Sequence, residues 1–190
     1  QVVCGTNEQF DEIWWFYPSA DSDEVDRYVV YNHQQQIWFY GTMARTAWVD
    51  RGINEFPLAA GTDGYLYLHE AGLNDGQNDS AISSYIESSQ IDIGDGDNFA
   101  FIRRMIPDVT FVGSSAESPS VNFILQTRNF PGANYSTTSS SNISRSATLP
   151  VEQFTEQVHV RLRGRSMALK LESDGLGIQW RLGSPRVDIR

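Results

Sequence analysis

Residues 12–17, 26–32 and 36–41 form three short runs dense in Trp, Tyr, Phe, Val and Ile, namely EIWWFY, DRYVVYN and QIWFYG. Each is bounded by acidic or turn-forming residues, and runs of this length and composition predict strands. His33, Gln34 and Gln35 predict a tight hairpin connection between the second and third. In AAGTDGYLYLHEAG, residues 59–72, Asp63 and Gly64 predict a turn. Tyr65, Tyr67 and His69 there alternate with Leu66 and Leu68, which puts aromatics on one strand face and leucines on the other. No stretch carries strong helical spacing.

The polar, glycine-containing segment GLNDGQNDS, residues 72–80, marks the best boundary, and domains over 1–76 and 77–190 are expected. Beyond it, runs at 82–93, 99–112, 120–128, 155–163, 166–173 and 177–189 alternate or carry β-branched residues, separated by DGD, GSSAESPS, NYSTTSSSNIS and SDG. Short strands at this spacing predict a β-sandwich. The serine-rich stretch 136–146 reads as a mobile loop between two of its strands, since it holds too little apolar surface to offset the cost of ordering.

Adjacent aromatics such as Trp14 and Trp15 point to opposite faces of a strand, so at least one of each pair fills a core. Packing is the first reading of the five tryptophans, Trp14, Trp15, Trp38, Trp48 and Trp180, and a sugar-stacking platform is the second. A glycosidase pair drawn from Asp11, Glu12, Glu24 and Asp26 is a distant third, because it requires a carboxylate separation that spacing in sequence does not give. DIGDGDN, residues 92–98, fails the EF-hand pattern from either start: Gly94 falls where a ligand is needed, or Ala100 where a glycine is needed. A tight Asp-Gly turn is the preferred reading, with a nonstandard calcium site as the alternative. His33, His69 and His159 have no metal-ligand spacing, and no nucleophile, phosphate-loop or dinucleotide motif appears. No enzyme activity, cofactor or metal is therefore expected. N-x-S/T matches at Asn78, Asn134 and Asn142 read as chance matches in Ser- and Asn-rich loops.

At 190 residues, 40% hydrophobic, the chain can bury one substantial core or two small ones. No apolar run approaches the roughly 20 residues that span a bilayer, so no membrane anchor is expected. QVVCGTNEQF also lacks the segments of a signal peptide. The lone Cys4 forms neither an internal disulfide nor a thiolate zinc site, which fits a reducing compartment or an assembly that does without disulfides. Starting at Gln1, the chain reads as a carboxy-terminal piece of something longer.

The net charge of −10 conceals an asymmetry: residues 1–98 hold 17 Asp and Glu against 3 Arg, whereas residues 99–190 hold 11 Lys and Arg against 7 Asp and Glu. The first half repels a DNA backbone, and the second can meet an acidic neighbour. In VHVRLRGRSMALKLES, residues 158–173, Arg161, Arg163 and Arg165 alternate with Leu162 and Gly164, so a regular strand puts three guanidinium groups on one face. Such a face is either merely solvated or an ion-paired subunit contact, and the use of Arg rather than Lys favours the contact. Phosphate binding is the weaker third option.

Residues 23–51, DEVDRYVVYNHQQQIWFYGTMARTAWVDR, with GTDGYLYLHE, SYIESSQIDIGDGD, FIRRMIPDVTF, EQVHVRLRGRSMALKLES and WRLGSPRVDIR, resemble the carboxy-terminal part of tail hub or nozzle proteins of short-tailed bacteriophages. These are the proteins called tail tubular protein B or packaged-DNA stabilisation protein. The resemblance spans nearly the whole chain and rests on structural phrases rather than catalytic signatures. It implies an all-β chain with partial β-propeller-like blades over 1–76 followed by a β-sandwich platform over 77–190. It also implies a homo-oligomeric ring in the virion, assembled in the bacterial host cytoplasm, contacting neighbouring tail proteins and passing DNA without specific binding.

About 75 residues make at most two blades of the usual roughly 40 to 45 residues, so upstream sequence or other segments are expected to complete a propeller. On this reading Asp21, Asp23 and Glu24, or Asp92, Asp95 and Asp97, approach the channel, while Arg161, Arg163 and Arg165 meet carboxylates of an adjacent subunit. The alternative function is a glycan-binding adhesin module.

Overall fold

Alternation along residues 12–17 resolves which aromatics fill a core. In the computed structural model, which describes residues 1–76, 79–130 and 146–190, Trp14 and Phe16 are buried while Trp15 and Tyr17 face outward. Asn78, Asn134, Asn142 and all of the serine-rich stretch except Ser146 lie outside the described residues. The chain divides into two compact units, Gln1–Gly72 and Leu73–Arg190.

The first unit opens with an antiparallel meander of β1 (Val3–Asn7), β2 (Glu12–Tyr17), β3 (Arg27–Asn32) and β4 (Ile37–Thr42). Gly5, Trp14, Val30 and Phe39 form one cross-strand row, and Val3, Phe16, Tyr28 and Gly41 the next. These rows supply Trp14, Phe16 and Val30 to a core that Val25 of the loop before β3 completes, with Tyr28, Phe39, Met43 and Trp48 packed against it. Fully burying each such side chain contributes about 1.5–3 kcal/mol relative to leaving it in water.

Glycine is required where rings cross the backbone. A Cβ on Gly5 would run into the Trp48 indole, and one on Gly41 into the Tyr28 ring. The β3–β4 hairpin closes as expected at residues 33–36, with the Asn32 carboxamide oxygen accepting from the Gln35 N–H at 2.8 Å. A second meander follows, β5 (Arg45–Val49), β6 (Leu58–Gly61) and β7 (Leu66–Leu68), turning at Asp63 and Gly64.

The second unit begins with the short pair β8 (Asn74–Asp75) and β9 (Ser80–Ala81). Then come β10 (Ser84–Glu87), β11 (Ile91–Asp92), β12 (Ala100–Ile106), β13 (Val109–Thr110), β14 (Ser120–Arg128) and β15 (Ser146–Glu152). The last four strands are β16 (Val158–Gly164), β17 (Ser166–Ser173), β18 (Arg181–Leu182) and β19 (Arg186–Ile189). One sheet runs β10-β17-β14-β15 with β11 also on β17, a second runs β16-β12-β19, and β13 pairs with β18.

Strict alternation along β14 buries Val121, Phe123, Leu125 and Thr127. The first three share one core with Ile102 and Met105 of β12, Leu149 and Val151 of β15, Val160 and Leu162 of β16, and Met167 and Leu171 of β17. The chain is thus all-β in several small antiparallel sheets. Among the described residues no sheet closes into a barrel, a propeller or a sandwich, and the helical element is one 3₁₀ turn, Glu8–Phe10. No helix among them is long and apolar enough to cross a membrane.

Candidate functional site

The alternation of VHVRLRG sets the chemistry of β16. Val160, Leu162 and Gly164 point into the core, and His159, Arg161 and Arg163 are exposed. Strand β12 lies beside it, pairing Phe101 with Arg163 and Arg104 with His159, with a bulge between Ile102 and Arg104. A bulge re-aims a side chain, and Arg103 here is exposed. Phe101, Arg103, His159, Val160 and Arg161 line an open depression of about 750 Å³. Arg104 reaches both neighbours of β12, meeting Asp188 of β19 at 3.6 Å and Gln157, just before β16, at 3.3 Å.

Arg165, just past the strand, completes the expected trio. The Arg163 and Arg165 guanidinium carbons lie 4.8 and 4.9 Å from the ring centroid of Phe99. One ring therefore holds two like charges, an arrangement favourable to each cation singly and unfavourable between them. The buried Nε of Arg165 has no hydrogen-bond partner. Arg103 and Arg161 make no ion pair among the described residues.

The acidic candidates occupy two places, and all six are exposed. The 92–97 turn is tied to the arginines, since the Ile93 N–H donates to the Arg165 carbonyl at 2.9 Å and Asp92 pairs with Ser166. The sequence reading assigns these two groups to different surroundings, and the fold makes them neighbours. Asp21, Asp23 and Glu24 belong to the first unit, on a loop anchored by Asp26. The N–H and hydroxyl of Ser19 both donate to the Asp26 carboxylate, at 2.6 and 2.7 Å, and hold its pKa below the usual range. Asp23 and Glu24 border a depression of about 360 Å³.

The outward face of the first meander is also aromatic. Trp15 and Trp38 stack at 5.8 Å with planes 24° apart, and Tyr31 approaches Trp38 at 4.5 Å. Trp38 is 62% and Tyr40 74% exposed.

Of the four carboxylates weighed as a glycosidase pair, three have separate partners and the fourth is exposed. Asp11 lies 3.8 Å from His33, Glu12 accepts from the Trp14 indole N–H at 3.0 Å, Asp26 is held by Ser19, and Glu24 is exposed. His69 accepts from the buried Arg45 at 2.9 Å, and Arg45 also stacks on Tyr67 at 4.1 Å.

Two groups escaped the sequence reading. Asn7, fully buried and directly opposite Glu12, donates from Nδ2 to Glu70 at 3.2 Å. Burial, reinforced by the Glu70 charge and opposed by hydrogen bonds from Trp14 and Asn7, pushes the Glu12 carboxyl above its ordinary range. Burial raises Glu70 likewise, against the Asn7 hydrogen bond. The signal for Glu12 and Asn7 lay in the pairing of β1 with β2; nothing local announces Glu70.

Among the described residues no three His, Cys, Asp or Glu side chains form a metal-binding group. No protein-family model matches the chain, and no curated protein matches it.

Proposed function

We propose that the chain is a non-enzymatic structural subunit of a bacteriophage tail, one copy in a hub or nozzle ring around the channel through which DNA leaves. The arginine and phenylalanine face of β16 and β12 carries this reading, because it gathers more guanidinium groups than the neighbouring carboxylates neutralise. In the ring, Arg161, Arg163 and Arg165 meet carboxylates of the adjacent subunit, where Arg pairs bidentately. The 92–97 turn goes with this contact because it is bonded to Arg165. Asp21, Asp23 and Glu24 are left to approach the channel, where their charge repels phosphate and lets DNA slide.

The meander β1–β4 serves as one propeller blade and β5–β7 as part of a second, with the two core-sharing sheets of the second unit as the sandwich platform. Replacing Arg161, Arg163 and Arg165 together by Gln should lower the ring population in electron micrographs roughly tenfold or more at 0.15 M salt, with the circular dichroism spectrum unchanged. Normal rings from the triple variant would remove the interface assignment.

The exposed Trp38 and Tyr40 favour a second reading, a glycan-binding module that stacks sugar rings on the outward aromatic face. It requires retardation on a polysaccharide affinity gel, weakened roughly two- to tenfold by Trp38→Ala. A chain that migrates without retardation on a panel of such gels is not an adhesin.

A further inference from the structure

Strands β12, β16 and β19 together contain one carboxylate, Asp188, and Arg104 already pairs with it. Residues opposite one another across an antiparallel pair share a face. Outward on β16 are His159, Arg161 and Arg163. Beside them on β12 are Phe101, Arg103 and Arg104, the last two brought to the same side by the bulge. Arg186 of β19, opposite Ile106, adds a fifth guanidinium. One sheet face thus sets five arginines against a single carboxylate.

The depression of about 750 Å³ on this face is lined by Phe101, Arg103, His159, Val160 and Arg161. The side chains of Arg103, His159 and Arg161 make no hydrogen bond or ion pair among the described residues. Phe99 carries the guanidinium groups of Arg163 and Arg165, whereas Phe101 carries neither a ring nor a cation. Free donors and a free aromatic ring therefore meet in one hollow.

We propose that this face binds single-stranded nucleic acid, with phosphates on Arg103, Arg161 and His159 and a base stacked on Phe101. The hollow falls within the roughly 300–1,000 Å³ of small-ligand sites, so it admits a nucleotide unit. Guanidinium groups take phosphate oxygens bidentately, and an exposed ring takes any base by stacking. Carboxylates of an acidic peptide would satisfy the charge and leave the ring idle. A duplex offers phosphates but keeps its bases stacked inside. The unpaired strand uses both. Against the net charge of −10 the attraction is local, since salt screens charges beyond about 8–10 Å. The inference does not rest on the ring reading: it centres on Arg103 and Phe101, which that reading leaves idle, and shares Arg161 with it.

Fluorescence anisotropy of a labelled oligothymidylate of about 10 nucleotides, titrated with the whole chain at about 50 mM salt, tests the proposal. A saturable rise is expected, weakening with salt by a logarithmic slope of about 0.7 for each phosphate contact. Arg103→Gln with Arg161→Gln should weaken binding at least about tenfold and make that slope shallower by about 1.4. Phe101→Ala should weaken it at least about fivefold with the slope unchanged. Arg27→Gln, in the other unit, should change nothing, and circular dichroism checks the fold of each variant. Arg103→Gln alone should weaken the oligonucleotide and leave rings as abundant as in the wild type, so failure of one reading is distinct from failure of the other. No binding up to about 100 μM protein would overturn the site. So would a duplex bound as tightly as the single strand, or full affinity in Phe101→Ala. Displacement of the oligonucleotide by polyglutamate at equal charge would make the occupant an acidic peptide and overturn it as well.

Discussion

Phe123→Ala should lower the stability of the second unit by about 3–5 kcal/mol. Phe123 is fully buried on β14, between Leu149 of β15 and Leu171 of β17 in register, and its ring joins the core shared by both larger sheets. Removing it deletes transfer free energy and leaves a cavity that flanking strands cannot fill without breaking their ladders. A domain of this size has about 5–15 kcal/mol of stability in all, so the variant should unfold at far lower urea. Paired urea titrations check this. A loss under 1 kcal/mol would mean that the two sheets do not share the core described.

Gly164→Ala should cost about 3 kcal/mol, at the upper end of what overpacking does. A Cβ at Gly164 would lie 2.6 Å from the Thr127 Cβ and 2.9 Å from the Arg128 carbonyl oxygen. The second neighbour is main chain, which yields only if β14 shifts. The same crossing carries two hydrogen bonds, from the Thr127 hydroxyl to the Arg163 carbonyl and from the Arg165 N–H to the Arg128 carbonyl. Substitution should therefore loosen the arginine face as well as the core. Thermal melting together with amide exchange at Arg165 measures both effects, and an unperturbed melting curve would contradict the packing.

The strands with the strongest alternation were legible in sequence, and those broken by special residues were not. Glu12–Tyr17, Ser120–Arg128 and Ser166–Ser173 form where the composition put them. The run 99–112 splits into β12 and β13 at Pro107, which has no N–H to give a ladder. Residues 177–189 yield only β18 and β19, interrupted by Gly183, Ser184 and Pro185. Strand β15 was missed because it follows the serine-rich stretch and contains Pro150, tolerated here because β15 is an edge strand. The outward positions of Arg161 and Arg163 followed from alternation. Their approach to Phe99, and that of Asn7 and Glu70 to Glu12, depend on chain segments brought together only by folding.

Both faces of the first meander are aromatic, so hydrophobicity alone does not choose which row goes inside. Sliding β2 by one residue would exchange Trp14 and Phe16 for Trp15 and Tyr17 with little change in apolar area. Shape must supply the discrimination that polarity leaves out. Gly5 and Gly41 are vacant at the two points where Trp48 and Tyr28 need room, and Asn7, Glu12 and Asn32 line up as a polar row at the end of the sheet. In the slipped alignment Gly5 would no longer stand opposite Trp14, and the polar row would lose its partners. These few small and polar residues act as the locating pins of an otherwise two-sided sheet.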